Sequence, residues 1–177
     1  ACMLNLDFWL PGQITPMVVF NLIIMVLFSC CFFYQFIFFL VGFLRGEYRY
    51  PKAKKLHRYA FFIAAHNEEA VIANLVTSIK SQRYPSELID VFVVADACTD
   101  NTANAARDAG AIVYERNDLA RKGKSWVMDY GFKRILNEYP GVYEGFFIFD
   151  ADNLISPDYV RIMNDAFGQG YMAVTSY

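Results

Sequence analysis

The order of apolar and polar positions divides the chain near Arg45. From Pro16 to Leu44 apolar residues occupy every helical face, interrupted only by Asn21, Ser29, Gln35 and Gly42, and no charged residue falls between Phe8 and Leu44. About 20 residues at 1.5 Å each cross the hydrocarbon core, so residues 17–44 suffice for a transmembrane helix with tilt or overhang. A core helix rarely stays apolar on all sides for so long. A cleaved signal peptide has a shorter apolar stretch and a small-residue cleavage site, which Val41–Arg45 does not supply. A retained span is expected.

From Tyr59 onward the period changes. Short β-branched and aromatic runs, YAFFIAA (59–65), IDVFVVA (89–95), AIVYE (111–115), GFFIFD (145–150) and MAVTSY (172–177), alternate with helical patterns over 67–82, 100–109, 121–138 and 156–167. Cap signals mark the helix starts: His66 or Asn67, Thr99 or Asp100, and Ser156-Pro157-Asp158 with proline at the first helical position. Apolar strands joined by helices predict an α/β fold with a mainly parallel sheet and helices on both faces, preceded by the transmembrane helix.

Charge sharpens this division. The 177 residues carry sixteen Lys+Arg against eighteen Asp+Glu, a net charge of −2, which leaves no basic excess for a nucleic-acid backbone, so no nucleic-acid partner is expected. Arg45, Arg49, Lys52, Lys54, Lys55 and Arg58 follow the apolar run with only Glu47 among them, whereas its other flank holds only Asp7. Basic flanks resist translocation, which predicts an extracytoplasmic segment 1–16, a basic juxtamembrane linker 45–58 and a cytoplasmic remainder at the plasma membrane. The same cations are suited to anionic headgroups. From Tyr59 the chain is acidic, with ten basic and sixteen acidic residues. Cys30 and Cys31 fall within the span, and Cys2 and Cys98 show no metal-binding spacing, so no structural disulfide is expected.

In a parallel sheet, ligands gather at the carboxyl ends of the strands. Three polar clusters sit there: His66-Asn67-Glu68, Asp96-Ala97-Cys98-Thr99-Asp100 and Asp150-Ala151-Asp152-Asn153. Two carboxylates ending an apolar strand invite a divalent cation, Mg²⁺ or Mn²⁺, which takes one or two carboxylates and completes its shell with water and phosphates. The plain alternative is a turn capping the next element. Asp96 can accept from a base or ribose, or form an Asx-turn; for Asp100 the helix cap is preferred. Asn67 and Glu68 serve either the pocket or the helix start. Arg121-Lys122-Gly123-Lys124 opens a helix in a manner suited to phosphate, with Lys124 the chosen contact.

The ordered stretches AAHNEEAVIANLVTSIKSQRYP, VFVVADACTDNT, GKSWVMDYGF and FFIFDADN resemble the family 2 glycosyltransferases of GT-A fold, membrane-bound polysaccharide synthases included, over residues 59–177. The resemblance implies a Rossmann-like nucleotide-binding half and inverting transfer from a nucleotide diphosphate sugar, usually a UDP-sugar such as UDP-N-acetylglucosamine or UDP-glucose. A divalent metal assists, and a glycan or lipid-linked acceptor receives the sugar. By position it implies donor contacts at Asn67, Glu68, Asp96, Lys124 and Asp150, with the uracil at Asp96. Asp150 and Asp152 match the Asp-X-Asp metal motif, Asp152 being the closer ligand. Ala64 replaces a usual proline and Ala95 the first acid of a common pair. The family's catalytic carboxylate and Gln-X-X-Arg-Trp motif lie well beyond Asp-X-Asp and do not occur before Tyr177. A chain that binds donor and metal but turns over poorly is therefore expected. Two other readings compete. A membrane-anchored nucleotide-binding module without catalysis fits the same residues. An Asp-X-Asp phosphohydrolase wants the motif on an early strand followed by Thr or Val, not Asn153 after the fourth.

Overall fold

The computed structural model describes residues 15–45 and 49–175. Asp7, Glu47, Cys2 and most of the expected segment 1–16 lie outside these, as do Ser176 and Tyr177. The chain forms two compact units, Ala1–Arg49 and Tyr50–Tyr177.

In the first unit, α1 (Pro16–Arg45) runs for 30 residues. Its Pro16–Leu44 stretch is long and apolar enough to cross a membrane, at about 44 Å by helical rise. Every side chain from Met17 to Leu44 is exposed within the chain, so no protein core accounts for this apolar surface.

The second unit contains β1 (Tyr59–Ala65), α2 (Glu69–Lys80), β2 (Ile89–Asp96), α3 (Thr102–Asp108), β3 (Ile112–Arg116), α4 (Lys124–Glu138), β4 (Gly145–Asp150) and α5 (Tyr159–Phe167), with a short 3-10 turn at Ser86–Leu88. The four strands form one parallel sheet in the order β3-β2-β1-β4. The order runs outward from β1 through β3 and then returns to the other side of β1, so the sheet's switch point lies between β1 and β4.

Alternation along the strands explains the two faces. Phe61, Ile63, Val91 and Val93 point to one side and pack with Ile72, Leu75, Val76, Ile79, Ala106 and Val160 of α2, α3 and α5. Ala60, Phe62, Phe92 and Val94 point to the other and meet Val127 and Ile135 of α4. Each fully buried large side chain stabilises the fold by about 1.5–3 kcal/mol. On α4, Gly131 permits close approach to the sheet: a Cβ there would lie 2.3 Å from Phe62 Cε2 and 2.8 Å from Val94 Cγ2. That seating determines where the first turn of α4 ends up.

The expected β1 and β4 coincide with those observed, and β2 and β3 end one residue later. Two expectations need correction. The expected strand at 172–177 is absent over Met172–Thr175, where Met172 is 98% exposed and no neighbouring strand offers a ladder. The helices begin two or three residues later than expected, at Glu69, Thr102, Lys124 and Tyr159, so Pro157 precedes α5 rather than opening it. The reason is local: the residues thought to start α2 and α4 include Asn67 at φ +56° and Gly123 at φ +111°, conformations no right-handed helix contains.

Candidate functional site

The carboxyl ends of β1, β2 and β4 carry the three polar clusters at one edge of the sheet. Two backbone positions there are unusual. Asn67, after β1, and Ala97, after β2, are the non-glycine residues with positive φ among those described. Such a conformation costs an alanine about 1–2 kcal/mol and persists only where neighbours hold it. Here they do: the Ala97 N–H donates to the Arg116 carbonyl at 2.7 Å, and Asn67 Oδ1 accepts from the Thr99 N–H at 2.8 Å and the Thr99 hydroxyl at 3.3 Å. Asn67 thus ties the loop after β1 to the loop after β2. His66 Nδ1 lies 2.6 Å from the Asp96 carbonyl oxygen and adds a second tie. The Glu68 N–H donates to Thr102 Oγ1 at 2.8 Å, and its half-buried side chain has no partner among the described residues.

Asp96 has a stronger anchor. Parallel register sets Asp96 beside Arg116, and Arg116 Nη1 donates to Asp96 Oδ1 at 2.5 Å. The Arg116 side chain is only 5% exposed and that of Asp96 16%. A buried guanidinium must be paired and bonded, and Arg116 also reaches the Arg121 carbonyl at 2.5 Å and Asp118 at 3.6 Å. It therefore fixes both Asp96 and the loop leading into α4. Sequence reasoning passes over Arg116; the signal for it was a lone cation closing an apolar strand opposite Asp96.

Gly123, whose positive φ suits glycine, turns the chain into α4 with Lys124 as the first helical residue. Lys124 Nζ donates to Asp150 Oδ1 at the end of β4. This pair is open to solvent, at 51% and 60% side-chain exposure. Asp152 is exposed and makes no hydrogen bond or ion pair among the described residues. Asp100 acts as the cap preferred for it, accepting from the Thr102 N–H at 3.0 Å and the Thr102 hydroxyl at 2.5 Å, contacts that hold its carboxyl below its ordinary pKa.

A cavity of about 430 Å³ opens between these groups, lined by His66, Asp96, Asp118, Lys122 and Lys124 over a floor of Ala65, Ala97 and Val127. That is within the size range of small-ligand sites. Of the expected donor residues, Asp96 and Lys124 line it. Asp150 joins through Lys124, while Asn67 and Glu68 stand in the adjoining loop. A larger cavity of about 690 Å³ follows the open edge of β4; its mostly aromatic and aliphatic lining takes only Asn153 from the three clusters and none of their charged side chains, so the smaller one holds the chemistry.

Among the described residues no three His, Cys, Asp or Glu side chains converge as a ready-made metal cage. The donor set present, two carboxylates at a strand end with one unpartnered, matches what Mg²⁺ or Mn²⁺ takes from protein when phosphates and water supply the rest.

Likeness to known proteins agrees with this geometry. Over 106 residues the chain is 29% identical to the "Probable glycosyltransferase YdaM" of Bacillus subtilis (strain 168), covering 56% of this chain but only 24% of that protein. The mannosyltransferase PcManGT of Pyrobaculum calidifontis, solved with GDP-Man and Mn²⁺, superposes with a TM-score of 0.60 at 21% identity, over 81% of this chain and 42% of that one. S. aureus TarS 1-349 in complex with UDP-GlcNAc does so with 0.50 at 21% identity, over 62% and 30%. At these identities the two structures show a shared GT-A-like fold. The profile described as "Glycosyltransferase like family 2" matches residues 57–177, and the chain belongs to that family.

Proposed function

We propose that this chain forms the donor site of a membrane-anchored inverting glycosyltransferase that takes its sugar from a nucleotide diphosphate. The observation that carries the reading is the gathering of Asp96, Lys124, Asp150 and Asp152 along one carboxyl edge beside the 430 Å³ cavity. Asp96 offers a carboxylate to a base or ribose, with Arg116 holding it in place. Lys124, at the positive end of α4, offers an ammonium to phosphate oxygens. Asp152 and Asp150 would hold the divalent cation, Asp152 being unencumbered and Asp150 free once Lys124 turns to phosphate. When bound, such a cation neutralises charge on the departing diphosphate. Lys124 contributes to the same end from the protein side.

UDP is the favoured nucleotide: the motif resemblance points to it, and TarS, of like fold, was solved with UDP-GlcNAc. The transferred sugar is a hexose or N-acetylhexosamine, and the acceptor a glycan or lipid-linked sugar. Residues 17–44 serve as the transmembrane segment, with residues 45–58 linking it to a nucleotide-sugar-binding part from residue 59 onward. The basic flank of α1 supports a cytoplasmic position for residues 45–177 at the plasma membrane, with the N-terminus outside.

Calorimetric titration of the chain in detergent with UDP and with GDP, each with and without Mn²⁺, tests this. Metal-dependent binding of UDP in preference to GDP is expected. Absence of metal-dependent binding for both nucleotides contradicts the donor-site reading.

A further inference from the structure

Five of the chain's cations, Arg49, Lys52, Lys54, Lys55 and Arg58, fall in a stretch free of acids, since no Asp or Glu occurs from residue 48 to residue 67. The sequence reads this as a basic linker whose cations suit anionic headgroups, and the structure shows that it is a docked strap. Ala53 donates its N–H to Asp165 Oδ1 at 2.8 Å. Asn164, 1% exposed, accepts the His57 N–H at 3.1 Å and returns a bond from Nδ2 to the Lys55 carbonyl at 3.0 Å. Tyr84 donates its hydroxyl to the His57 carbonyl at 2.8 Å. Ala53 also packs so closely on α5 that a Cβ on Gly168 would lie 2.7 Å from Ala53 Cβ.

A fixed backbone fixes where its charges stand. Lys55 pairs with Glu144 at 2.6 Å and Arg58 with Asp90 at 2.8 Å, so the domain's own carboxylates neutralise those two. Asp165, the other acid facing the strap, is engaged by the Ala53 N–H. Lys52 and Lys54 are exposed and have no partner among the described residues. They stand with Lys55, His57 and Gly168–Gly170 around a cavity of about 560 Å³. This is a positive site on a domain that is otherwise acidic.

We propose that this groove binds the phosphodiester headgroups of anionic bilayer lipids through Lys52 and Lys54. The inference rests on the reading of α1 as a membrane span. Lys52 follows the last residue of α1 by seven positions, so the backbone cannot carry it further than about 25 Å from that helix end. The tether is short enough to let both lysines meet the bilayer surface, where each basic residue gains about 1 kcal/mol from anionic lipid.

The test places the full chain in nanodiscs of phosphatidylcholine alone, or of phosphatidylcholine mixed with phosphatidylglycerol. It follows acetylation of each lysine by mass spectrometry. Acetylation of Lys52 and Lys54 is expected to slow about fivefold in the anionic discs, the ratio equivalent to about 1 kcal/mol per residue. High salt should restore it, and Lys133 on α4 should be unaffected. Equal rates at Lys52 and Lys54 in the two bilayers, or equal slowing at Lys133, overturn the proposal. Slowing in phosphatidylcholine discs on adding inorganic phosphate alone makes the groove a free-phosphate site, which also overturns it. Failure of the chain to enter either disc refutes the span itself, and is distinguished from these outcomes by the absence of protein in the disc fraction.

Discussion

At the β2–β3 end of the carboxyl edge one ion pair, Arg116 with Asp96, is largely withdrawn from solvent, whereas at the β4 end the charged groups stand in it. Arg116 and Asp96 are 5% and 16% exposed, and the guanidinium also grips the loop before α4. Lys124 and Asp150 are 51% and 60% exposed, and Asp152 has no partner among the described residues. Burial makes the first pair stiff, because separating it strands a charge away from water. Exposure makes the second cheap to open, since surface ion pairs are worth about 0–1 kcal/mol. The chain therefore preorganises the end proposed for the nucleoside and leaves the end proposed for diphosphate and cation to be completed by what binds there.

The largest expected effect comes from the buried end. Arg116→Met should destabilise the second unit by about 3 kcal/mol, leaving Asp96 unpaired and the loop before α4 unheld. Lys124→Met should change stability by less than about 0.5 kcal/mol. Thermal unfolding followed by near-ultraviolet circular dichroism measures both, and equal losses would erase the contrast between the two ends.

At the exposed end the effects should fall on binding. Asp152→Ala is expected to weaken Mn²⁺-dependent UDP binding by about 100-fold, at the upper end of what even indirect supports of a metal site contribute. Lys124→Met should weaken UDP by about tenfold, the value of one charged hydrogen bond, and leave uridine untouched. A Lys124 variant that weakens uridine as much as UDP would place the lysine at the nucleoside instead.

The smallest effect is the pH response of the exposed carboxylates. Asp100 is held low by Thr102, Glu138 by Tyr114 and Arg134, and Glu144 by Lys55. A depressed carboxylate adds stability above its unfolded pKa, about 4, and loses it as pH falls through its lower folded value. The melting temperature should thus be level from neutral pH to about 4 and decline below, with Glu144→Gln showing a shallower decline. Burial works in the opposite sense on Tyr84, raising its phenol to about 12, so its contribution is lost as pH rises from about 10 toward that value.

The same contrast explains what the sequence made legible. β1 and β4 are visible to the residue because their apolar runs end abruptly at polar clusters. The helix starts are displaced where the site intervenes: Asn67 and Gly123 carry backbone conformations that propensity does not encode. Asp96, Lys124 and Asp150 are legible as charges at strand ends and a helix start. Arg116 is not, because its importance depends on a register pairing formed only in the sheet. Asn67, expected in the donor loop, also binds Thr99 through its side chain and joins two loops, a tie that the sequence pattern does not encode. The strap at residues 51–58 escapes the sequence because its anchors, Asn164 and Asp165, lie more than a hundred residues away.

The most direct test of a preorganised nucleoside end beside a cation-completed diphosphate end is calorimetric. Uridine and UDP are titrated into the wild-type chain and its Asp152→Ala variant, with and without Mn²⁺. Uridine binding should be indifferent to both the metal and the substitution, whereas UDP binding should tighten with Mn²⁺ in the wild type alone. UDP binding that gains nothing from Mn²⁺, or gains equally in Asp152→Ala, would contradict the account.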